Sequence, residues 1–257
     1  MTRILAGSAL IIILGLLINA CNKDNSTNPP VQNNTGYFPN GDGTTYTYSV
    51  AKTDSNGTHN TGTRSTEYSG TQIKNGTTYQ VQIDSINISG VSSMSLSYFR
   101  KTNDSLYYFL DTTGLSASIP DSLRNNISLD AEMKVLSFPV EENKTWSVFK
   151  LSVSYLIFTV PVLTVDGSYD GTESITLHLN SGDTNKDAVR LKYTLSLEVP
   201  GGPTTEYSAF AWLVDGIGIV KWQGNAAILD AFTGGGIDLS DTTSVITQSL
   251  ISYDVKQ

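Results

Sequence analysis

One cysteine, at position 21, stands in a chain of 257 residues. No internal disulfide can staple the fold, and no cysteine cluster can hold a metal. Histidine is almost as scarce: His59 and His178 are the only two. They lie far apart and outside any His-Glu-x-x-His spacing, so zinc hydrolysis and Cys–His nucleophilic catalysis lack their parts. No serine stands in a Gly-x-Ser-x-Gly context. Charge is thin as well, at 16% of residues, with 16 basic against 24 acidic side chains and a net charge of −8. A chain of that sign repels phosphate backbones, which argues against nucleic acid as a partner. Long apolar runs are missing except in two places, the N-terminus and residues 155–165.

The N-terminal run explains the cysteine. Arg3 precedes an apolar stretch from Ile4 to Ile18, and small Ala20 directly precedes Cys21. This is the layout of a secretory signal, too short and wrongly flanked for a spanning helix. Leu17-Ile18-Asn19-Ala20-Cys21 resembles the bacterial lipobox. The resemblance implies that the Cys21 thiol receives a diacylglycerol, that the chain is cut before it, and that the new N-terminus is acylated. Several acyl chains together anchor stably where one would be marginal. Residues 22–36 carry a single large aliphatic side chain, Val31, and read as a flexible tether. Lys23-Asp24 is similar to the Lys-plus-acid export signal of surface lipoproteins in Bacteroidetes-type bacteria, with Asn25 where a second acid is wanted. The expected division is a signal peptide over 1–20, a tether over 21–36 and a β-rich domain over 37–257. The expected address is the outer membrane, on its periplasmic or cell-surface face, with the Cys21 lipid as the link to the membrane.

From Gly36 onward Thr, Ser, Tyr, Val and Ile dominate, punctuated by Gly, Asn and Asp. That is strand-and-turn composition. Thr45 to Val50 alternates, and Asn56-Gly57 and Asn75-Gly76 are hairpin-turn dipeptides. Between Tyr79 and Ser89 the apolar face switches, which predicts a bulge or bend. Met94–Arg100 and Leu106–Leu110 predict a hairpin around Asn103-Asp104. Ser122 to Lys134 is the best helix candidate, with Leu123, Ile127 and Met133 near helical spacing. Strands resume over 145–155, 174–179, 188–199, 207–214, 217–222 and 249–255. The fold class is all-β: a large curved antiparallel sheet, sandwich or part-barrel, with at most one or two short helices. Phe38-Pro39 followed by Thr45-Tyr46-Thr47 repeats, 100 residues later, as Phe138-Pro139 followed by Thr145-Trp146-Ser147. A Phe-Pro corner opening a strand in each of two related halves accounts for this spacing.

Three stretches, 37–50, 138–148 and 209–224, resemble motifs of a group of uncharacterised bacterial lipoproteins: Tyr-Phe-Pro with a Gly-rich turn and Tyr-Thr-Tyr, Phe-Pro with Thr-Trp, and Gly-Ile-Val-Lys. The resemblance implies an all-β domain akin to the half-barrels of lipoprotein carriers. It supplies no activity and no catalytic residues. This chain departs from the pattern at Tyr46, where Trp is commoner, and at Asn40, where an aliphatic residue is usual.

Candidate chemistry is sparse. Asp183-Thr184-Asn185-Lys186-Asp187 has the alternation of a calcium loop, but Ala188 and Thr194 occupy the positions that need Gly and Glu, so a polar hairpin turn is the better reading. Asp-Ser or Asp-Thr followed by an apolar residue or Thr recurs at Ser85, Ser105, Thr112, Ser122 and Thr242. This resembles an O-glycosylation signal of Bacteroidetes-type bacteria, although turn chemistry enriches the same pairs. Trp146, Trp212 and Trp222 read as core and cross-strand packing, ahead of the alternative of sugar-stacking platforms. The segment Tyr155 to Val165 is apolar on both faces. It reads as a strand buried on both sides with Pro161 at a bulge or edge, or as one wall of a cavity for a greasy ligand, touched by Ile157, Phe158 and Val160. The expectation is a non-enzymatic, lipid-anchored envelope lipoprotein of binding or structural role, with no catalytic residues, metal or cofactor. An envelope protein is one expected partner. The alternative is a periplasmic-side carrier of a lipid or other hydrophobic ligand.

Overall fold

A computed structural model describes residues 34–110, 126–155, 158–198, 202–232 and 242–256. A 3-10 turn, Asn34–Tyr37, is followed by thirteen strands: β1 Thr45–Thr53, β2 His59–Lys74, β3 Thr77–Ile88, β4 Val91–Lys101, β5 Ser105–Phe109, β6 Ile127–Leu129, β7 Glu132–Ser137, β8 Thr145–Tyr155, β9 Phe158–Leu179, β10 Gly182–Leu197, β11 Thr205–Val214, β12 Gly218–Asn225 and β13 Val245–Asp254. One helix, α1 (Ala226–Phe232), lies between β12 and β13. The strands form a single antiparallel sheet in the order β6-β8-β9-β10-β11-β12-β13-β1-β2-β3-β4-β5-β7. The all-β, curved-sheet expectation holds.

That order contains two six-stranded meanders. The first is β1 to β5 with β7; the second is β8 to β13; the β13–β1 ladder joins them. The corners that open the two halves match bond for bond. Thr44 N–H donates to the Gly41 carbonyl at 3.1 Å, and Lys144 N–H to that of Glu141 at 3.1 Å. Gly43 and Tyr68 on one side, and Asn143 and Tyr169 on the other, then make equivalent bonds into the next strand. Gly43 and Asn143 both sit at positive φ, +79° and +62°, where Gly and Asn are the residues best tolerated. Phe38 and Phe138 are both buried. Tyr46 then packs on Tyr68 with ring centres 5.9 Å apart, and Trp146 on Tyr169 at 5.0 Å.

The sheet curls until its two end strands are neighbours in the chain, since only Asp130 and Ala131 separate β6 from β7. No backbone ladder pairs β7 with β8. Side chains close the seam instead. Trp146 Nε1 donates to the Lys134 carbonyl, Tyr193 OH to Val135 and Tyr169 OH to Ser137, at 2.9, 2.9 and 2.7 Å. Gly167 allows this, because a Cβ there would lie 2.5 Å from the Trp146 ring. Helix α1 fills the second half. Asn225 Oδ1 accepts from Ala227 N–H at its start, and Ile228, Leu229 and Phe232 are buried, with Phe232 stacked on Trp222.

Four expectations need correction. The helix proposed over 122–134 is, from Ile127 on, the strands β6 and β7, while 122–125 lie outside the described residues. Met133 and Val135 alternate inward and β7 pairs with β5, so the ladder outweighs weak helical spacing. Residues 166–173, which no expected strand covers, continue β9, because a ladder to β10 satisfies their backbone whatever the side chains; a register shift marks the Gly171 bend. Asp183 to Asp187 lie within β10 rather than in a turn, which falls at Asn180-Ser181. The bulge expected in 79–89 occurs in the partner strand instead, between Tyr68 and Thr71 of β2. Strand β3 keeps one parity and is apolar on opposite faces at its two ends, with Tyr79 on the outer face and Ile86 and Ile88 on the inner.

Trp146→Ala should lower unfolding free energy by roughly 3–5 kcal/mol, as for a large buried aromatic. Gly167→Val should lower it too, by forcing the ring off the seam. Urea melts of both variants against wild type check this, and a superimposable curve for either contradicts the seam geometry.

Candidate functional site

The inner face of β13, β1, β2 and β3 carries charge. Arg64 and Asp84, on β2 and β3, form an ion pair at 2.8 Å with 4% and 0% of their side chains exposed. Asp84 also accepts from Thr66 Oγ1 and Gln82 Nε2, both at 2.6 Å. Gln82 accepts from Tyr108 OH, and Arg64 reaches Gln248 of β13 at 2.9 Å. Tyr48 lies under the guanidinium, 5.5 Å from its ring centre. Among the described residues no buried side-chain polar atom lacks a partner. Burial disfavours the Arg64 charge, and the adjacent Asp84 carboxylate outweighs that cost, so the guanidinium holds its proton more tightly than usual. Beside this network a space of about 20 Å³, touched by Tyr46, Arg64, Gln82 and Trp222, is large enough for one water. A second space, about 10 Å³, is apolar and lies behind the seam between Met133, Phe149, Leu195 and Ile228.

The outer face above the ion pair is different. Arg64, Thr66, Gln82 and Asp84 point inward, so the intervening Thr63, Ser65, Ser85 and Asn87 point out and are exposed. In register across five strands run Ser249, Ser49, Thr63, Asn87 and Ser92. A shallow groove of about 390 Å³ crosses β2, β3 and β4 here, lined by Thr63, Ser65, Ser85, Ile86, Asn87, Ser92, Ser93 and Met94. None of these side chains is ionisable. Met94, part of this lining, is 72% exposed.

The residues singled out from sequence scatter. Cys21 and Ile157 lie outside the described residues. Of Phe158 the structure describes the backbone, which begins β9. Val160 sits on β9 and is 39% exposed. Pro161 occupies a register shift between β8 and β9, opposite Ser152. Leu163 and Val165 further along are buried. Of the Asp-Ser/Thr sites, Ser85 is exposed, Ser105 is 1% exposed, and Thr112 and Ser122 are outside the described residues. Trp146, Trp212 and Trp222 are all buried. Trp212 is on the outer face, bonded through Nε1 to Glu173 and covered by Lys221, 4.4 Å from its ring centre. His59 bonds Thr53, and His178 bonds Asp183 on an exposed hairpin. Among the described residues no group of His, Cys, Asp and Glu could hold a metal ion, and no helix is long and apolar enough to cross a membrane. Sequence reasoning missed both the ion pair and the groove. Buried Tyr68, on the parity of Arg64 and Thr66, was the available signal.

No family model matches the chain, and no curated protein matches it. Three solved structures are distantly similar. A protein of Bacteroides fragilis described as exported, with a YmcC-like fold, is 12% identical, at a TM-score of 0.46, over 85% of this chain and 98% of its own. A protein of Parabacteroides distasonis described as a lipoprotein is 12% identical, at 0.39, over 85% and 98%. The hypothetical lipoprotein YmcC of Escherichia coli is 9% identical, at 0.33, over 97% and 98%. Likeness at this level carries no functional argument.

Two outcomes follow. Arg64→Met leaves a buried carboxylate without its counter-charge and should cost about 3–5 kcal/mol; adding Asp84→Asn should restore part of it, measured by urea unfolding. Burial pushes the hydroxyls of Tyr46, Tyr48, Tyr68, Tyr108, Tyr169 and Tyr193 above the ordinary value of 10.0. Their folded-state pKa values exceed the unfolded ones. The stability they contribute is therefore complete below about pH 10 and is lost as pH rises beyond it. Absorbance at the tyrosinate band should rise in two steps on alkaline titration, exposed rings first and these six only on unfolding. A single step near pH 10 contradicts the burial.

Proposed function

We propose that this chain is an exported lipoprotein of the outer membrane, anchored through acylated Cys21, whose folded domain acts by binding on its outer faces and performs no catalysis. The sequence Leu17 to Cys21 supports the anchor. The observation that carries the mode of action is the close packing of the interior among the described residues. A carrier of acyl chains needs an apolar space of some 300 Å³ or more. The interior spaces described here measure about 10 and 20 Å³. The rings of Phe38, Tyr68, Phe99, Tyr193 and Trp222 are packed into the core. Among the described residues an open space of about 390 Å³ lies on the outer face of β2, β3 and β4, which favours recognition there. Envelope proteins and envelope polymers are the partners such a domain meets.

The test is Cys21→Ser expressed beside wild type with an alkyne fatty acid. Labelling and membrane fractionation should both be lost in the variant. A variant that labels normally removes the anchor. Native mass spectrometry of the wild-type domain should give the bare polypeptide mass plus its anchor; a co-purified lipid held by the domain overturns the outer-face reading in favour of a carrier.

A further inference from the structure

We infer that the groove over β2, β3 and β4 is a binding site for a neutral, hydroxyl-rich glycan chain. This deepens the proposed function and rests on its outer-face reading. The groove is lined by hydroxyl and amide side chains, with Met94 as its apolar side chain; Ile86 turns its own side chain to the inner face. Serine and threonine hydroxyls both donate and accept, as sugar hydroxyls do, and the Asn87 amide does the same. The Met94 side chain suits the C–H face of a sugar ring.

Charge decides between ligand classes. The protein carries −8 overall, yet the lining of this groove has no ionisable side chain. An acidic polymer, a phosphate or an anionic lipid headgroup needs Lys or Arg, and none is offered. The nearby guanidinium, Arg64, is 4% exposed, faces the other side of the sheet and is spent on Asp84 and Gln248. A protein partner is the poorer fit, since interface cores favour aromatics, Met and Arg and are depleted in Ser. The hydroxyl row also continues beyond the groove, through Ser49 to Ser249, so a chain longer than the groove still meets matching groups. The surface is fixed in place from beneath. Arg64 and Asp84 lock β2, β3 and β13 in register through one polar network, and each outward hydroxyl holds its position for the same reason. Individual hydroxyl contacts exchange with water and are weak. Many copies anchored side by side on one membrane, against a repeating polymer, gain by avidity.

The experiment is affinity electrophoresis of the full lipoprotein in neutral detergent, through native gels containing dextran, laminarin or xylan as neutral polymers, or polygalacturonate as an acidic one. Wild type should be retarded by at least one neutral polymer and not by polygalacturonate. Thr63→Glu/Ser85→Glu should lose the retardation. Thr145→Glu/Ser147→Glu, which adds the same charge to exposed positions on β8, should keep it. Asn87→Tyr, which fills the groove without charge, should lose it too, and covers the case in which the double variant melts below wild type. Absence of retardation by every neutral polymer, retardation by polygalacturonate alone, or retention in the groove variants overturns the proposal. So does a dimer in sedimentation velocity that Thr63→Glu/Ser85→Glu dissociates, which would make this face a contact between copies. Fatty-acid labelling of the same preparations separates the two readings: labelled protein that no polymer retards loses the glycan site and keeps the anchor.

Discussion

A strand with one open edge must still satisfy its backbone there, and β7 meets this constraint with side chains. Buried carbonyls that find no partner cost about as much as lost hydrogen bonds. The meanders bring β7 alongside β8 without a ladder between them, and Trp146, Tyr169 and Tyr193 supply the missing donors. Each of these rings is also a core residue, so one side chain fills the interior and closes the edge. An open edge would otherwise be a template for pairing with another chain. The neighbouring glycine, the direct β6-to-β7 connection and the placement of α1 all follow from keeping those three rings against β7.

The two halves share a plan and differ in their centres. At the opening corners the hydrogen bonds, the positive-φ residue and the ring pair repeat. Inside, the first half encloses an ion pair and two glutamines, whereas the second encloses a helix and apolar rings. Buried charge contributes little net stability, because desolvation offsets the attraction. It does penalise wrong registers heavily, since a slip of one residue would leave Arg64 or Asp84 unpaired. That places the rigid, register-locked surface on the first half.

Much of the architecture was legible in the residues. Alternation marked most strands, Asn-Gly pairs marked turns at 56–57 and 75–76, and the Phe-Pro spacing disclosed the duplication. The failures have physical causes. Segment 127–134 carries a pattern weak enough to suit a helix, and only its pairing partner, β5, resolves it. The stretch 166–173 breaks the apolar pattern with Asp, Gly and Ser, yet its backbone lies in a ladder and its Tyr169 is in the core. Arg64 and Asp84 sit among Thr and Ser that mark a solvent face, and the network around them draws on Gln248 of β13, Tyr48 of β1 and, through Gln82, Tyr108 of β5. The groove was invisible for a related reason. Thr63, Asn87 and Ser92 become neighbours only through register.

Both ends of the folded chain meet at one corner. Lys256 N–H donates to Thr44 Oγ1 at 3.0 Å, just ahead of β1, and β1 is flanked along its length by β2 and β13. A pull on the chain ahead of Asn34 reaches β1 after the buried Phe38, whose carbonyl is held by Lys101. From there the load runs along the strand axis, across two ladders at once. The strand would have to slide past both neighbours together rather than peel from one. The domain is thus built to resist in shear at its N-terminal end, with β13 as the clamp.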